Sequence, residues 1–175
     1  DGVFAIPPDF VARQLDCVFT DIFPDAVKLG MLANVANILV IAQKLRQYCA
    51  RNIVIDPVMI STSGSRLLDT AAVQSMAAQL FPLATLITPN IPEAHTLTGY
   101  EICNPAQMEQ AALALSAQFG CAVLVKGGHL SGAADDVLAA DGAVRWFCGA
   151  RVSNPNTHGT GCTLSSAIAA FMARG

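Results

Sequence analysis

The sequence predicts an α/β fold: a mostly parallel sheet covered by helices, with an antiparallel hairpin at one edge. Three observations carry this. Four short β-branched or aliphatic runs, residues 26–29, 52–55, 84–88 and 122–125, are each separated from the next by a stretch with helical periodicity. Two further runs, 137–140 and 143–147, flank Asp141-Gly142, a dipeptide that favours a two-residue hairpin turn. Of the 175 residues, 53% are apolar and only 13% charged, so the chain can bury one sizeable core, and its length suggests one domain.

Taken in order, each element has a local reason. After the first run, residues 35–50 repeat apolar side chains at Ile38, Ile41, Ala42 and Leu45, one face of a helix. Residues 71–80 and 106–119 are rich in Ala, Gln and Met with the same period. Alternation of strand and helix in this way implies a parallel sheet. The last element, 161–173, reads as a helix rich in Ser and Ala that packs Leu164, Ile168, Phe171 and Met172 on one side. No repeat or low-complexity linker marks a domain boundary.

Composition excludes several classes. A net charge of -3 and the absence of any Lys/Arg run leave no basic surface for a phosphate backbone, so nucleic acid is not an expected partner. No apolar stretch is long enough to span a bilayer, and no membrane partner is expected. Six cysteines without a C-x-x-C pair, most of them inside apolar runs as small hydrophobes, suit a reducing cytoplasm. A homodimer is compatible with the sequence, which does not fix the oligomeric state. The chain has no initiator Met and stops just after a strongly helical stretch, so it reads as the middle and C-terminal portion of a longer domain.

Chemistry gathers where the strands end. Val27-Lys28-Leu29 gives way to Gly30-Met31, Ile53-Val54-Ile55 to Asp56-Pro57, Leu86-Ile87-Thr88 to Pro89-Asn90-Ile91-Pro92-Glu93, and Val123-Leu124-Val125 to Lys126-Gly127-Gly128. In an open parallel sheet those carboxyl ends share one edge, which is where ligands bind. The sharpest signal is Asn156-Thr157-His158-Gly159-Thr160-Gly161-Cys162-Thr163, which leads into the last helix. Gly159 and Gly161 can adopt positive φ and let successive backbone N–H groups converge on an anion at a helix N-terminus. Such fixed donors are most of what phosphoryl transfer requires of a protein. Cys162 shares that field, where a thiol pKa should fall.

Each of these residues also has a plainer reading. A Gly-Thr-Gly turn alone is equally well a tight loop capping a helix, and Cys162 a small residue that fits the helix start. Asp56 and Glu93 suggest a magnesium site, because Mg2+ beside nucleotide phosphates is held by carboxylate oxygens and water. Alternatively, Asp56 is a turn residue before Pro57, and Glu93 a first-turn acid with Asn90 as N-cap. Lys126, alone between Val125 and a glycine pair, has little structural purpose and is better explained by a nucleotide phosphate. His95, His129 and His158 lack metal-ligand spacing; His158 stays a minor candidate beside the anion loop.

With those residues in view, the chain resembles the hydroxymethylpyrimidine and phosphomethylpyrimidine kinases of thiamin biosynthesis, a branch of the ribokinase superfamily. The resemblance covers essentially the whole chain. It rests on residues 25–32, on Ile55-Asp56-Pro57-Val58-Met59, on Thr62-Ser63-Gly64 with Leu67-Leu68, on Thr88 to Ala94, on Val125 to His129 and on Asn156 to Thr163, an ordered and highly specific set. It implies a three-layer αβα sandwich, ATP and Mg2+ as cosubstrates, and phosphorylation of hydroxymethylpyrimidine and its monophosphate. Met31 and Val58 would line the pyrimidine pocket. Gly159, Thr160, Gly161 and Cys162 would form the anion hole, with Cys162 facing the acceptor hydroxyl. Asn90, Glu93 and Asp56 would serve metal and phosphates, and Lys126 and Thr160 the nucleotide. Much of the superfamily carries Asp where Cys162 stands, whereas thiamin-pyrimidine and some pyridoxal-type kinases carry Cys. The family's N-terminal segment, with part of the substrate pocket, is missing from this chain, so the piece alone is expected to be inactive. Pyridoxal or hydroxyethylthiazole kinase is the alternative within the superfamily, and a non-catalytic nucleotide-binding module the alternative outside enzymes.

Overall fold

The computed structural model describes residues 4–59, 67–130, 134–152, 154 and 158–175. Thr62-Ser63-Gly64 and Asn156-Thr157, both part of the motifs above, lie outside the described residues. The chain runs α1 (Pro8–Asp21), β1 (Val27–Leu29), α2 (Val35–Gln47), β2 (Ile53–Ile55), α3 (Thr70–Gln79), a 3-10 turn (Phe81–Leu83) and β3 (Leu86–Ile87). It continues through α4 (Ile91–Thr98), α5 (Pro105–Phe119), β4 (Ala122–Val125), β5 (Asp136–Ala140), β6 (Ala143–Phe147) and α6 (Thr160–Met172).

One six-stranded sheet holds the strands in chain order, β1 to β4 parallel and β5 and β6 antiparallel. The hairpin turn is the one its dipeptide calls for, with φ of 51° at Asp141 and 76° at Gly142. Because successive parallel strands are neighbours and such crossovers are right-handed, the intervening helices α2, α3, α4 and α5 fall on one face of the sheet. The strand residues divide accordingly. Ile53, Ile55, Ile87, Val123 and Val125 join the large core under those helices. Val54, Leu86 and Leu124 point the other way, onto Ala169 of α6 with Leu164, Ile168 and Met172 around it. The sandwich therefore has three layers, with α6 as the described helix on its second face. Phe171 does not pack there as the sequence suggested; it is 68% exposed, because the turn carrying Ala169 and Met172 sets it on the outer side.

Helix ends follow local rules. Asn34, Asp69, Asn90 and Asn104 each accept a backbone N–H three residues on, and Gly99 and Gly120 end α4 and α5 in the left-handed region. Helix α1 was not among the elements expected from the sequence. It lies along α2, where Asp16 accepts Lys44 Nζ at 2.6 and 2.7 Å and the Tyr48 hydroxyl at 2.7 Å, and Phe19 stacks on Tyr48. Hydrogen bonds from Lys44 and then Tyr48 hold the Asp16 carboxyl below its ordinary range. The cysteines depart from expectation: five of the six are exposed and only Cys121 is half-buried, so they are not core residues, and none is paired. Among the described residues no helix is long and apolar enough to cross a membrane.

Candidate functional site

The site is assembled from both layers at the carboxyl ends of the parallel strands. Alternation along β2 sends Asp56 to the same face as Val54, and there its side chain is taken out of water, at 2% exposure. Its Oδ1 accepts Lys126 Nζ at 2.7 Å and the Thr88 hydroxyl at 3.3 Å. Lys126 follows β4 and is fixed by its own backbone, whose N–H donates to Pro89 O at 2.9 Å in a bridge that pairs it with Asn90. The sequence left Lys126 without a structural role; the correction is that it neutralises a buried carboxylate 70 positions away.

Asn90 begins α4 with a reciprocal cap. Its Oδ1 accepts the Glu93 N–H at 2.9 Å, and Glu93 Oε2 accepts the Asn90 N–H at 2.8 Å. Pro92 fits the first turn, where its missing N–H is not needed. The cap folds Glu93 inward to 3% exposure. Burial pushes its carboxyl up to about 7; the Asn90 N–H, the Lys126 charge and the Met59 N–H act against this, and the Asp56 charge adds to it. The capping reading of Glu93 from sequence thus holds, and the same turn directs its carboxyl toward the charged cluster.

From the opposite face comes α6. Gly159 is its N-cap with φ of 80°, a conformation that strains most other residues, and as a glycine it brings no side-chain cap of its own. The Gly159 carbonyl accepts both the N–H and the hydroxyl of Thr163 at 2.9 Å. Gly161 makes the contact between layers. A methyl group there would stand 3.1 Å from Lys126 Nζ and 3.7 Å from Asp56 Oδ2. The amide-rich first turn therefore rests against the ion pair, while Gly159, Thr160 and Cys162 stay exposed. Met31 and Val58 stand on the same edge, just after β1 and β2, the first exposed and the second half-buried. The three histidines are exposed, as expected.

Some participants were missed. Thr88 continues the Leu86 face by alternation, a signal that was readable. Gly127 is required by packing: a Cβ there would lie 1.8 Å from the Asp135 carbonyl oxygen, and its N–H donates to Asp136 Oδ1 at 2.9 Å. Two surface hollows, of about 560 and 330 Å3, contain none of Asp56, Glu93, Lys126 or Gly161, the larger lying at the strands' amino ends near Thr85 and Asp141. Convergent charge beside a helix N-terminus marks the candidate site here, not the size of a cavity.

A parallel sheet with an amide-lined helix start against paired acidic and basic side chains defines a ribokinase-like α/β protein. The phosphomethylpyrimidine kinase family model matches residues 1–175, and the chain belongs to that family. It is 44% identical over 178 residues to the hydroxymethylpyrimidine/phosphomethylpyrimidine kinase of Escherichia coli, covering 99% of this chain and 66% of that protein. To a thiamine biosynthesis bifunctional protein of Geobacter sulfurreducens it is 48% identical, over 99% of this chain and 36% of that one. The chain thus spans from about a third to two thirds of the length of these relatives. Among solved structures, phosphomethylpyrimidine kinase from Clostridium difficile superposes with a TM-score of 0.86 at 40% identity, over 99% of this chain and 72% of that one. An ADP complex of Bacillus subtilis pyridoxal kinase superposes with a TM-score of 0.92 at 36% identity, over 99% and 66%.

Proposed function

We propose that the protein carrying this chain transfers the γ-phosphoryl group of ATP to hydroxymethylpyrimidine and to its monophosphate. The observation that carries the reading is the approach of the α6 first turn, through Gly161, to the buried Lys126–Asp56 pair. In this reading, the backbone N–H groups of residues 159–162 hold the oxygens of the phosphoryl group in transit, where charge must be stabilised in place. Cys162 orients the acceptor: the hydroxyl oxygen of the free alcohol, or a phosphate oxygen of the monophosphate, bonds to the γ-phosphorus as the bond to the ADP oxygen breaks, and the alcohol's proton passes to solvent. Met31 and Val58 contact the pyrimidine ring, Asn90, Lys126 and Thr160 face the nucleotide phosphates, and Asp56 and Glu93 would hold Mg2+.

The acidic pair fits a hard divalent cation. Two carboxyl groups are desolvated together, burial and to a lesser degree the Asp56 charge raise Glu93, and one ammonium, that of Lys126, pairs with Asp56. A Mg2+ held by Asp56 and Glu93 would supply positive charge to offset that of the nucleotide phosphates. Chemistry in a cytoplasmic setting agrees with six unpaired cysteines.

Steady-state phosphorylation by the full-length protein, with Mg-ATP and hydroxymethylpyrimidine, pyridoxal or hydroxyethylthiazole, tests the reading. Turnover of the pyrimidine is expected, and Cys162→Ala should keep Mg-ATP binding in calorimetry while losing transfer. A second reading, with pyridoxal as acceptor, is raised by the TM-score of 0.92 to a pyridoxal kinase, and turnover of pyridoxal alone would replace the first with it. Nucleotide binding without transfer to any of the three alcohols would overturn both.

A further inference from the structure

Lys28 is a cation that the site described so far does not use. It lies in β1 between Val27 and Leu29, both of which face the large core, so its own side chain leaves on the α6 face. It is half-buried, and no ion pair among the described residues involves it. Its stem climbs toward the carboxyl edge: a Cβ placed on Gly30 would stand 2.7 Å from Lys28 Nζ. Register puts that ammonium beside the reactive row. Lys28 pairs with Val54 and Leu29 with Ile55, and the Asp56 N–H donates to Leu29 O at 2.9 Å, so Gly30 lies alongside Asp56. Asp56 therefore has a lysine on each side, and its Oδ1 is already taken by Lys126 and Thr88 from the β3–β4 side. Gly30, lacking a side chain, leaves the Lys28 amine its place next to Met31.

A half-buried ammonium without a counter-charge is suited to receive an anion. Two successive transfers place different demands on the site. The first joins a neutral alcohol to a polyphosphate; the second brings a phosphomonoester against the same polyphosphate, and two anions at contact repel. Lys126 cannot relieve that repulsion without abandoning Asp56. We infer that Lys28 binds the phosphate group of the monophosphate acceptor, and so sets the preference of the enzyme for the phosphorylated over the free alcohol. This rests on the kinase reading above.

The experiment is a comparison of kcat/KM for hydroxymethylpyrimidine and for its monophosphate, with KM for ATP, in full-length wild type, Lys28→Met, Lys28→Arg and Gly30→Ala. The ratio of monophosphate to free alcohol is expected to fall about 10- to 100-fold in Lys28→Met, the range for losing a hydrogen bond to a charged group. Lys28→Arg should recover most of the ratio. Gly30→Ala keeps the charge but occupies the position of the amine, and should lower the ratio as well, which serves as the independent variant should Lys28→Met fold poorly. A ratio unchanged in Lys28→Met and Gly30→Ala overturns the assignment while leaving the kinase reading intact. A loss expressed in KM for ATP, with the acceptor ratio constant, also overturns it, because the anion is then the nucleotide's. A wild type that phosphorylates neither acceptor overturns the kinase reading and this inference together.

Discussion

Changing Glu93 to glutamine removes a charge that the fold keeps out of water, and the structure sets the size of the effect. An ordinary glutamate titrates at 4.5, whereas burial lifts this one to about 7. At about 1.4 kcal/mol for each tenfold change in proton affinity, the folded state prefers the neutral carboxyl by about 3 kcal/mol. The sign follows from proton counting. Between pH 4.5 and about 7 the folded protein holds the Glu93 proton and the unfolded chain has released it. Stability from this group is therefore complete below the lower value, declines as pH rises through the interval, and is gone above the upper one. Glu93→Gln cannot titrate, yet its amide oxygen can still accept the Asn90 N–H. Urea unfolding of the full-length wild type and variant, followed by circular dichroism in chelator-treated buffer across this pH range, gives the two curves. Their difference, variant minus wild type, should grow by about 3 kcal/mol from acid to neutral pH, whatever constant offset the amide introduces. A flat difference curve would refute the claim that Glu93 is a buried carboxyl held near neutrality, as would one that falls with pH.

Three further outcomes follow from the same cluster. Lys126→Met leaves the buried Asp56 carboxylate without its ion-pair partner, and should lower the urea-unfolding free energy by about 3 kcal/mol, with partial recovery in the Lys126→Met/Asp56→Asn double variant. Additive losses in the two single changes would deny the coupling. Gly161→Ala puts a methyl 3.1 Å from Lys126 Nζ, a flexible group that can yield, so the thermal midpoint should hardly move while kcat for phosphoryl transfer falls by about tenfold or more. Full activity would show that the close approach is incidental. Calorimetry of ATP binding should show a strong divalent-cation dependence at about pH 8 that weakens below pH 7, where Glu93 becomes neutral; a dependence constant across that range would remove Glu93 from the cation site.

The strand ends were legible because each apolar run halts at a polar residue, and a parallel sheet lines those residues up whatever their distance in sequence. The Asn90 cap was legible for the same local reason, since Asn90 and Glu93 carry the reciprocal spacing themselves. What the sequence withheld was tertiary. The partner of Lys126 lies 70 positions away, and no local pattern announces it. Helix α1 was missed although its pattern was readable: Val11, Leu15 and Phe19 stand at helical spacing and face the core, while Phe10 and Val18 are exposed. Phe171 misled because hydrophobicity on a helix does not say which neighbour the fold provides. The exposed cysteines show the same limit, since an apolar run fixes an element but not the turn or outward position at which a given residue falls.

The asymmetry of the sandwich explains why the site has the composition it has. With the parallel strands in chain order, α4 reaches the carboxyl edge from one face and α6 from the other, and the sheet contributes Asp56 and Lys126 between them. Each layer brings a different kind of group: an acid from α4, backbone amides from α6, and an ion pair from the strands. When both carboxyls are ionised, Asp56, Glu93 and Lys126 together carry one excess negative charge, before the Lys28 ammonium beside Gly30 is counted. Helix-end amides offer only partial positive charge, about half a unit, so they do not by themselves make this edge hospitable to a polyphosphate. Burial is the main reason Glu93 holds its proton to about 7; the Lys126 charge opposes that rise and the Asp56 charge adds to it. On the kinase reading proposed above, the buried acid that weakens the fold near neutral pH is the group that would tie phosphate binding at this edge to a divalent cation.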